Sequence, residues 1–144
     1  MAVTTIGVDL GLTYARAAWV QDGAPVLLET LSGQRALPAV VGIDRNGALH
    51  VGESARNQHL LWPDRTASRL RRLLGTSQRV MLDDKSFSCH ELCAVVLAQL
   101  KENAEQRLGH PVTGLVLALP APFTQVQRHA AADAAALAGF RSVK

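Results

Sequence analysis

Residues 5–15 read TIGVDLGLTYA and predict a strand, a tight turn and the start of a second strand. In the first half of this segment, apolar residues alternate with small or polar ones, and that period of two is typical of a strand. We expect Gly11 to allow the bend, because a residue without Cβ accepts positive φ. The carboxylate of Asp9 stands just before the turn, and the hydroxyl of Thr13 stands just after it.

This arrangement has two interpretations. Backbone N–H groups in a turn of this kind can converge on an anion such as a phosphate. Asp9 would repel a phosphate at close range, and Mg²⁺ with its waters between the two would remove the conflict. The alternative is an ordinary buried strand that ends in a glycine turn and a solvated aspartate. The residues of the segment alone favour this second interpretation.

The composition excludes several classes of protein. The chain has 144 residues, 48% of them hydrophobic, which is enough for one folded domain with a core. The formal net charge is +3. No basic block is interleaved with aromatic residues, so we expect no nucleic-acid partner. No apolar run approaches the length of a membrane span and the start of the chain carries no basic segment, so we expect a cytoplasmic protein without a membrane partner.

The first half of the chain predicts mostly strands. A second strand covers 15–21, and Asp22-Gly23 predicts a type I′ hairpin turn into a third strand over 25–28. These three strands form an antiparallel meander. Further strands are predicted over 38–43 and 49–51, followed by a basic helix over 66–74 that ends at Gly75.

The second half predicts two long helices around a buried strand. A capping box, Ser88 with Glu91, begins a helix that runs to about Leu108. The apolar run 114–119 predicts a strand that is buried on both faces. Thr124 with Gln127 begins the second helix, over 124–138.

Cys89, Cys93 and His90 lie close together in the sequence, but two thiols and one imidazole do not complete a zinc site. The cysteine pair fits a reducing compartment better than a disulfide framework.

Segment 6–15, IGVDLGLTYA, resembles the first phosphate hairpin of the actin-like ATPase superfamily. It is most similar to the seventy-kilodalton heat-shock chaperones of the DnaK type, which usually read IGIDLGTTNS or GIDLGTTYS. Three more segments resemble the same family in the same order: GQRALPAVVGI at 33–43, SRLRRLLG at 68–75, and LALPAPFTQVQRHAAADAAALAGF at 117–140. The last is the most specific, although Pro122 replaces an aromatic residue. The link between Gly75 and Ser88 is short, and in this it is similar to the HscC-type branch of the family.

The resemblance implies a fold and a domain. The fold is α/β, an actin-like ATPase lobe of the ribonuclease H-like kind, with a mixed β-sheet and flanking helices. Residues 1–144 are then the first lobe of an actin-like nucleotide-binding domain, and we expect the second lobe and the substrate domain to lie outside this sequence.

The resemblance also implies a site for ATP or ADP with Mg²⁺. The phosphate-holding residues would be Gly11, Leu12, Thr13 and Tyr14, and the catalytic candidates are Asp9, facing the metal through its waters, and Arg71, approaching the γ-phosphate. Leu12 stands where the family has a threonine, and Arg71 stands where it has a lysine. Because a planar guanidinium is not equivalent to a compact ammonium, we expect binding with slow or absent turnover, and no hydrolysis by this chain alone.

The implied function is the N-terminal part of the ATP-binding domain of a DnaK-like chaperone that folds proteins in the stress response. Its implied partners are nucleotide, unfolded polypeptide clients, and J-domain or nucleotide-exchange co-chaperones. Two alternatives stay open. A catalytically impaired relative acting as a binding or regulatory module is favoured by Leu12 and Arg71. Another actin-like ATPase or kinase is disfavoured by segment 117–140.

Overall fold

A computed structural model describes residues 3–144, so the first two residues of the N-terminal segment lie outside the described part. The strands are β1 (Thr5–Leu10), β2 (Tyr14–Gln21), β3 (Ala24–Leu28), β4 (Leu37–Pro38), β5 (Val41–Ile43), β6 (Leu49–Val51), β7 (Thr66–Ala67), β8 (Arg79–Leu82), β9 (Lys85–Ser88), β10 (Gly114–Ala118) and β11 (Ser142–Val143). The helices are α1 (Glu53–Gln58), α2 (Cys89–Leu108) and α3 (Gln125–Leu137), with 3₁₀ turns at Pro63–Arg65 and Leu70–Leu73.

The largest sheet is mixed, with strand order β11-β10-β1-β2-β3 and β4 paired to β2. Strands β1, β2 and β3 form the predicted antiparallel meander, and β10 joins β1 in parallel with Ile6 opposite Leu115. Asp22 and Gly23 have φ of 52° and 81°, as the predicted hairpin turn between β2 and β3 requires. The predicted α/β class with a mixed sheet is therefore confirmed, and β1 and β10 share one sheet.

The core lies on one face of this sheet. The inward side chains of β1, which are Ile6, Val8 and Leu10, are at most 3% exposed. They belong to one cluster with the apolar side of α2 and with the buried alanines of α3. The small alanines let α3 pack closely on α2, and together the two helices cover this face.

The opposite face of the sheet is open, which corrects one prediction. The run 114–119 was expected to be buried on both faces, but Val116 is 47% exposed and Ala118 is also exposed. No element within residues 3–144 covers this side, and an uninterrupted apolar run cannot reveal which of its residues face outward. Val20 of β2 is 66% exposed on this sheet.

The predicted single strand over 38–43 is instead two short strands in different sheets. Strand β4 pairs with the start of β2, whereas β5 pairs with β6 and β7 in a separate three-stranded sheet. Between them the Ala39 amide donates to the Thr13 carbonyl, and the Gly52 amide donates to the Val40 carbonyl. These tertiary hydrogen bonds divide the segment, and no local signal in the sequence marks the division.

The predicted helix over 66–74 is wrong. Thr66 lies in β7 and pairs with Gly42 of β5. Arg69 has a φ of 54°, a left-handed conformation that cannot continue a helix. Only the turn Leu70–Leu73 is helical, and it is a 3₁₀ turn. The link from Gly75 to Ser88 also contains an unpredicted hairpin, β8–β9.

The two long helices begin and end where their caps predict. At α2 the Ser88 hydroxyl accepts a hydrogen bond from the Glu91 amide at 3.2 Å and donates one to the Glu91 carboxylate. The Glu91 carboxylate does not accept from the Ser88 amide, so the predicted capping box is only half formed. Thr124 and Gln127 form the complete reciprocal box at α3. Gly109 follows α2 with a left-handed φ of 77°. Within residues 3–144, no helix is long and apolar enough to span a membrane.

Candidate phosphate-binding site

The loop between β1 and β2 is closed by a hydrogen bond from the Gly11 amide to the Tyr14 carbonyl at 3.0 Å. A Cβ built on Gly11 would collide with that same carbonyl oxygen. The φ of Gly11 is not in the positive range, so our expectation of a left-handed glycine here was wrong. Glycine is required at this position because the chain approaches itself too closely for any side chain.

In the described part of the chain, two backbone amides of the same loop have no protein partner. Within residues 3–144, neither the Leu12 amide nor the Thr13 amide donates a hydrogen bond. The Thr13 carbonyl is held by the Ala39 amide at 2.9 Å, so the loop is fixed on its carbonyl side. Adjacent unpaired N–H groups in a tight turn are a common way for proteins to bind an anion.

Tyr14 is anchored away from the loop by its side chain. Its hydroxyl accepts a hydrogen bond from the Arg56 guanidinium at 3.2 Å, and the Arg16 guanidinium lies 5.8 Å from the centre of its ring. Arg56 belongs to α1 and also pairs with Glu53 at 3.6 Å. Because the hydroxyl is engaged with α1, Tyr14 can serve a phosphate through its backbone and through the position it gives the loop.

Asp9 lies on the open face of β1 and is exposed. Its cross-strand neighbours are Arg16 on β2 and Ala118 on β10. The carboxylate is therefore solvent-accessible, two residues from the tight turn at Gly11. An accessible carboxylate that keeps its water is the kind of group that binds Mg²⁺ through the ion's own waters.

Arg71 reaches the same loop from 61 residues away in the sequence. Its guanidinium donates to the carbonyl of Leu10, the last residue of β1, at 3.2 Å. The 3₁₀ turn that carries Arg71 is fixed by the buried side chains of Leu70 and Leu74 and by the Cys89 thiol, which donates to the Leu70 carbonyl at 2.8 Å. A permanent positive charge thus stands at the end of β1, where the loop begins.

The structure brings together the hairpin residues 11–14 and Arg71, while Asp9 faces the open side of the sheet. Sequence reasoning missed Ala39 and Arg56, which hold the loop. Their roles arise from contacts between distant segments, and no local pattern marks either of them. It also missed how closely Gly75, at the end of the Arg71 turn, lies to α3: a Cβ there would be 2.9 Å from the Gln127 Cγ.

Comparisons with known proteins agree on one family. The model of the family described as Hsp70 protein matches residues 5–144. Among curated proteins, the chain is similar to the chaperone protein DnaK of Mycoplasmopsis agalactiae (strain NCTC 10123 / CIP 59.7 / PG2), with 40% identity over 139 residues. The match covers 96% of this chain and 23% of that protein, so the chain spans less than a quarter of the length of this relative.

Proposed function

Because the chain belongs to the Hsp70 protein family, we propose that it is the first lobe of the nucleotide-binding domain of a DnaK-like chaperone. Its hairpin 11–14 binds the phosphates of ATP or ADP. The observation that carries this proposal is the hydrogen bond from Arg71 to the Leu10 carbonyl. It fixes a cation at the end of β1, where the loop begins, and the Leu12 and Thr13 amides of that loop have no partner within residues 3–144. A cation and free amides are donors suited to an anion.

Each residue of the hairpin has a separate task in this proposal. The Leu12 and Thr13 amides donate to phosphate oxygens. Gly11 keeps the turn narrow enough for both amides to face the same side. Tyr14, through its bond to Arg56, keeps the loop in place before the nucleotide arrives, and such preorganisation lowers the cost of binding.

Asp9 is the residue that would hold Mg²⁺, through the waters of the ion. When bound, the ion neutralises phosphate charge. The exposed carboxylate of Asp9 suits this role, because it is free to bind water rather than buried against a neighbour. Arg16, its cross-strand neighbour, limits the accumulation of negative charge on this part of the sheet.

We propose that turnover is slow. Leu12 provides no hydroxyl near the γ-phosphate, where the family has a threonine. Arg71 supplies charge as a planar fork that is already bonded to Leu10, whereas the family lysine is a compact point charge. Losing one donor that acts mainly on the transition state costs about 10²–10³ in rate.

The wider functions follow from the family and are part of the proposal. Unfolded polypeptides, J-domain proteins and nucleotide-exchange factors would be the partners of the DnaK-like chaperone as a whole. A cytoplasmic location agrees with the two free thiols, Cys89 and Cys93. Assignment to the HscC-type branch stays a prediction.

The test is a chimera in which the 139 matched residues of the Mycoplasmopsis agalactiae DnaK are replaced by those of this chain. We expect it to bind ATP with Mg²⁺, and the double variant Leu12→Thr with Arg71→Lys to hydrolyse ATP faster, by up to about 10²–10³-fold at saturating ATP. Affinity should change little, because the two loop amides are retained. Single-turnover hydrolysis measures the rate.

The matched control is Leu12→Thr with Arg72→Lys, because Arg72 lies on the same turn and is exposed. It should gain less rate than the first variant. If the chimera already hydrolyses as fast as the unmodified DnaK, or if the double variant is no faster, the slow-turnover proposal is wrong. If a folded chimera does not bind ATP, the assignment of the phosphate site is wrong.

A further inference from the structure

Two thiols lie side by side at the start of α2. Cys89 is the first residue of the helix and Cys93 lies one turn later, with their sulfur atoms 3.9 Å apart. Both are free, and they are 4% and 0% exposed. Neither thiol is among the residues proposed to hold the phosphates, so the oxidation of this pair can be examined separately from that proposal.

The two thiols differ in reactivity. The hydrogen bond from Cys93 lowers the pKa of Cys89 more than burial raises it, and the Leu73 amide favours the Cys89 thiolate as well. The pKa of Cys93 is raised by its bond to Cys89 and by burial. Cys89 is therefore the more easily ionised of the two thiols, and its thiolate is the attacking form, while Cys93 remains a neutral thiol within reach.

A small oxidant can approach Cys89 from the surface. Cys89 lines a cleft of the molecule together with Gly75, His90, His129 and Asp133. The cleft lies between the end of the Arg71 turn and the exposed side of α3. Cys93 lies beneath Cys89 and does not line the cleft, so Cys89 is the thiol that meets a reagent first.

Joining the two sulfur atoms requires a limited movement of Cys89. Helix geometry separates their Cα atoms by about 6 Å, inside the range of roughly 4.4–6.8 Å that disulfides accept. Their Cβ atoms, about 5–6 Å apart on a helix, must close to about 4 Å. Cys89 can make this movement because the amide of a first helical residue has no intrahelical partner to lose. The bond so formed would be strained and easily reduced.

The Cys89 thiol also supports the turn that carries Arg71. Its sulfur donates to the Leu70 carbonyl at 2.8 Å, and the next residue, Arg71, donates to the Leu10 carbonyl of the hairpin. A disulfide has no S–H to donate. Moving Cys89 towards Cys93 therefore removes the bond to Leu70 and takes away one of the contacts that hold the turn.

We propose that Cys89 and Cys93 are a peroxide-sensitive thiol pair whose oxidation to a disulfide loosens the Leu70–Leu73 turn and releases Arg71 from the hairpin. The oxidant is hydrogen peroxide. The Cys89 thiolate attacks one peroxide oxygen, the O–O bond breaks, and the hydroxide that leaves takes a proton to become water. The Cys93 sulfur then attacks the resulting sulfenic acid, the S–O bond breaks, and the second hydroxide leaves with the Cys93 proton as water. Two thiols are oxidised and one peroxide is reduced to two waters.

The first measurement is the thiol state of the 144-residue chain after graded peroxide treatment, followed by alkylation under denaturing conditions and mass spectrometry. We expect the monomer to lose two hydrogen atoms and both alkylation sites, and dithiothreitol to restore them. In Cys93→Ala, Cys89 should gain oxygen atoms instead, and in Cys89→Ala, Cys93 should stay reduced. Two alkylatable thiols after treatment, or disulfides only between separate chains, would overturn the proposal.

The second measurement is amide hydrogen exchange of the reduced and oxidised chains. In the turn, the Arg72 amide donates to the Arg69 carbonyl and the Leu74 amide donates to the Arg71 carbonyl. We expect both amides to exchange roughly tenfold faster after oxidation, with the amides of α3 as the unchanged reference. Equal exchange in the two states, with the disulfide formed, would overturn the coupling to Arg71. Neither measurement uses nucleotide, so its outcome is independent of the phosphate site.

Discussion

At the scale of single residues, Gly11 determines whether the phosphate hairpin can form. We expect Gly11→Ala to lower the free energy of unfolding by about 1–3 kcal/mol, because the new Cβ would collide with the Tyr14 carbonyl and force the loop open. The control is Gly7→Ala on the same strand, where a Cβ meets only the Ala18 carbonyl at 3.9 Å. That change should stay within about 0.5 kcal/mol. Urea unfolding of both variants measures the difference, and equal stabilities would contradict this account of Gly11.

The individual site residues were only partly predictable. The turn at Gly11 could be predicted locally, because a glycine that interrupts an alternating strand is a local signal, whereas the phosphate-holding role of Gly11, Leu12 and Thr13 came from the family resemblance. The expected reason for glycine at position 11, a positive φ, was wrong. Glycine is needed there because a Cβ would collide with the Tyr14 carbonyl. Arg71 was reached through resemblance, because its contact to Leu10 spans 61 residues and depends on how the intervening chain folds.

At the scale of elements, the capping box of α3 is the clearest local device in the chain. We expect Thr124→Ala to cost about 0.5–2 kcal/mol of stability, because the Gln127 amide would lose its acceptor at the start of the helix. Thr124→Ser keeps the hydroxyl and should behave almost as the original chain does. Thermal unfolding compares the three proteins. A loss in the serine variant as large as that in the alanine variant would show that the hydroxyl is not what matters.

Glu105, near the end of α2, holds the loop that leads into β10 by hydrogen bonding. Its carboxylate accepts from Lys101 at 2.7 Å and from the amide of Val112, a residue that is 0% exposed, at 2.9 Å. Burial raises the pKa of Glu105, but these hydrogen bonds and the charge of Lys101 outweigh it, and the folded pKa lies below its usual value. The ionised form is therefore favoured by folding.

We expect Glu105→Ala to cost about 1–3 kcal/mol at pH 7, because the buried Val112 amide loses its partner. Because the pKa of Glu105 is lower in the folded than in the unfolded state, its ionised form stabilises the folded protein at pH values above the unfolded pKa of about 4.3. This stabilisation is lost as the pH falls through the folded pKa. The difference in free energy of unfolding between the original chain and the variant should thus become smaller below about pH 4. Urea unfolding at several pH values measures it. Glu102→Ala, at an exposed carboxylate of the same helix, is the control and should show no such difference.

The elements themselves were predictable where their signals are local. The two long helices and the first meander carry caps and turn residues that act within a few positions, so their limits were nearly right. The segment 66–74 failed because leucines at 70, 73 and 74 fit one 3₁₀ turn as well as a helix. Strand pairing of Thr66 and the left-handed Arg69 decided between the two, and both depend on contacts with other segments.

At the scale of the whole molecule, the hairpin is a surface loop. Thr13 is exposed, and Gly11, Leu12 and Tyr14 are half-buried. A nucleotide bound here would be enclosed on one side only, whereas tight binding of a small ligand needs burial of most of its surface. We therefore expect the 144-residue chain to bind ATP weakly, in the high micromolar range or above, and not to hydrolyse it measurably.

One titration tests the central claim, that the 11–14 hairpin and Arg71 form a phosphate site. Mg²⁺ with ATP is added to the isotope-labelled 144-residue chain, and its amide and arginine N–H resonances are followed by NMR. We predict the largest shifts at the Leu12 and Thr13 amides and at the Arg71 guanidinium, with weak affinity, and a clear loss of these shifts in Arg71→Ala. Saturation at submicromolar ATP, or shifts confined to surfaces away from the hairpin, would contradict the account.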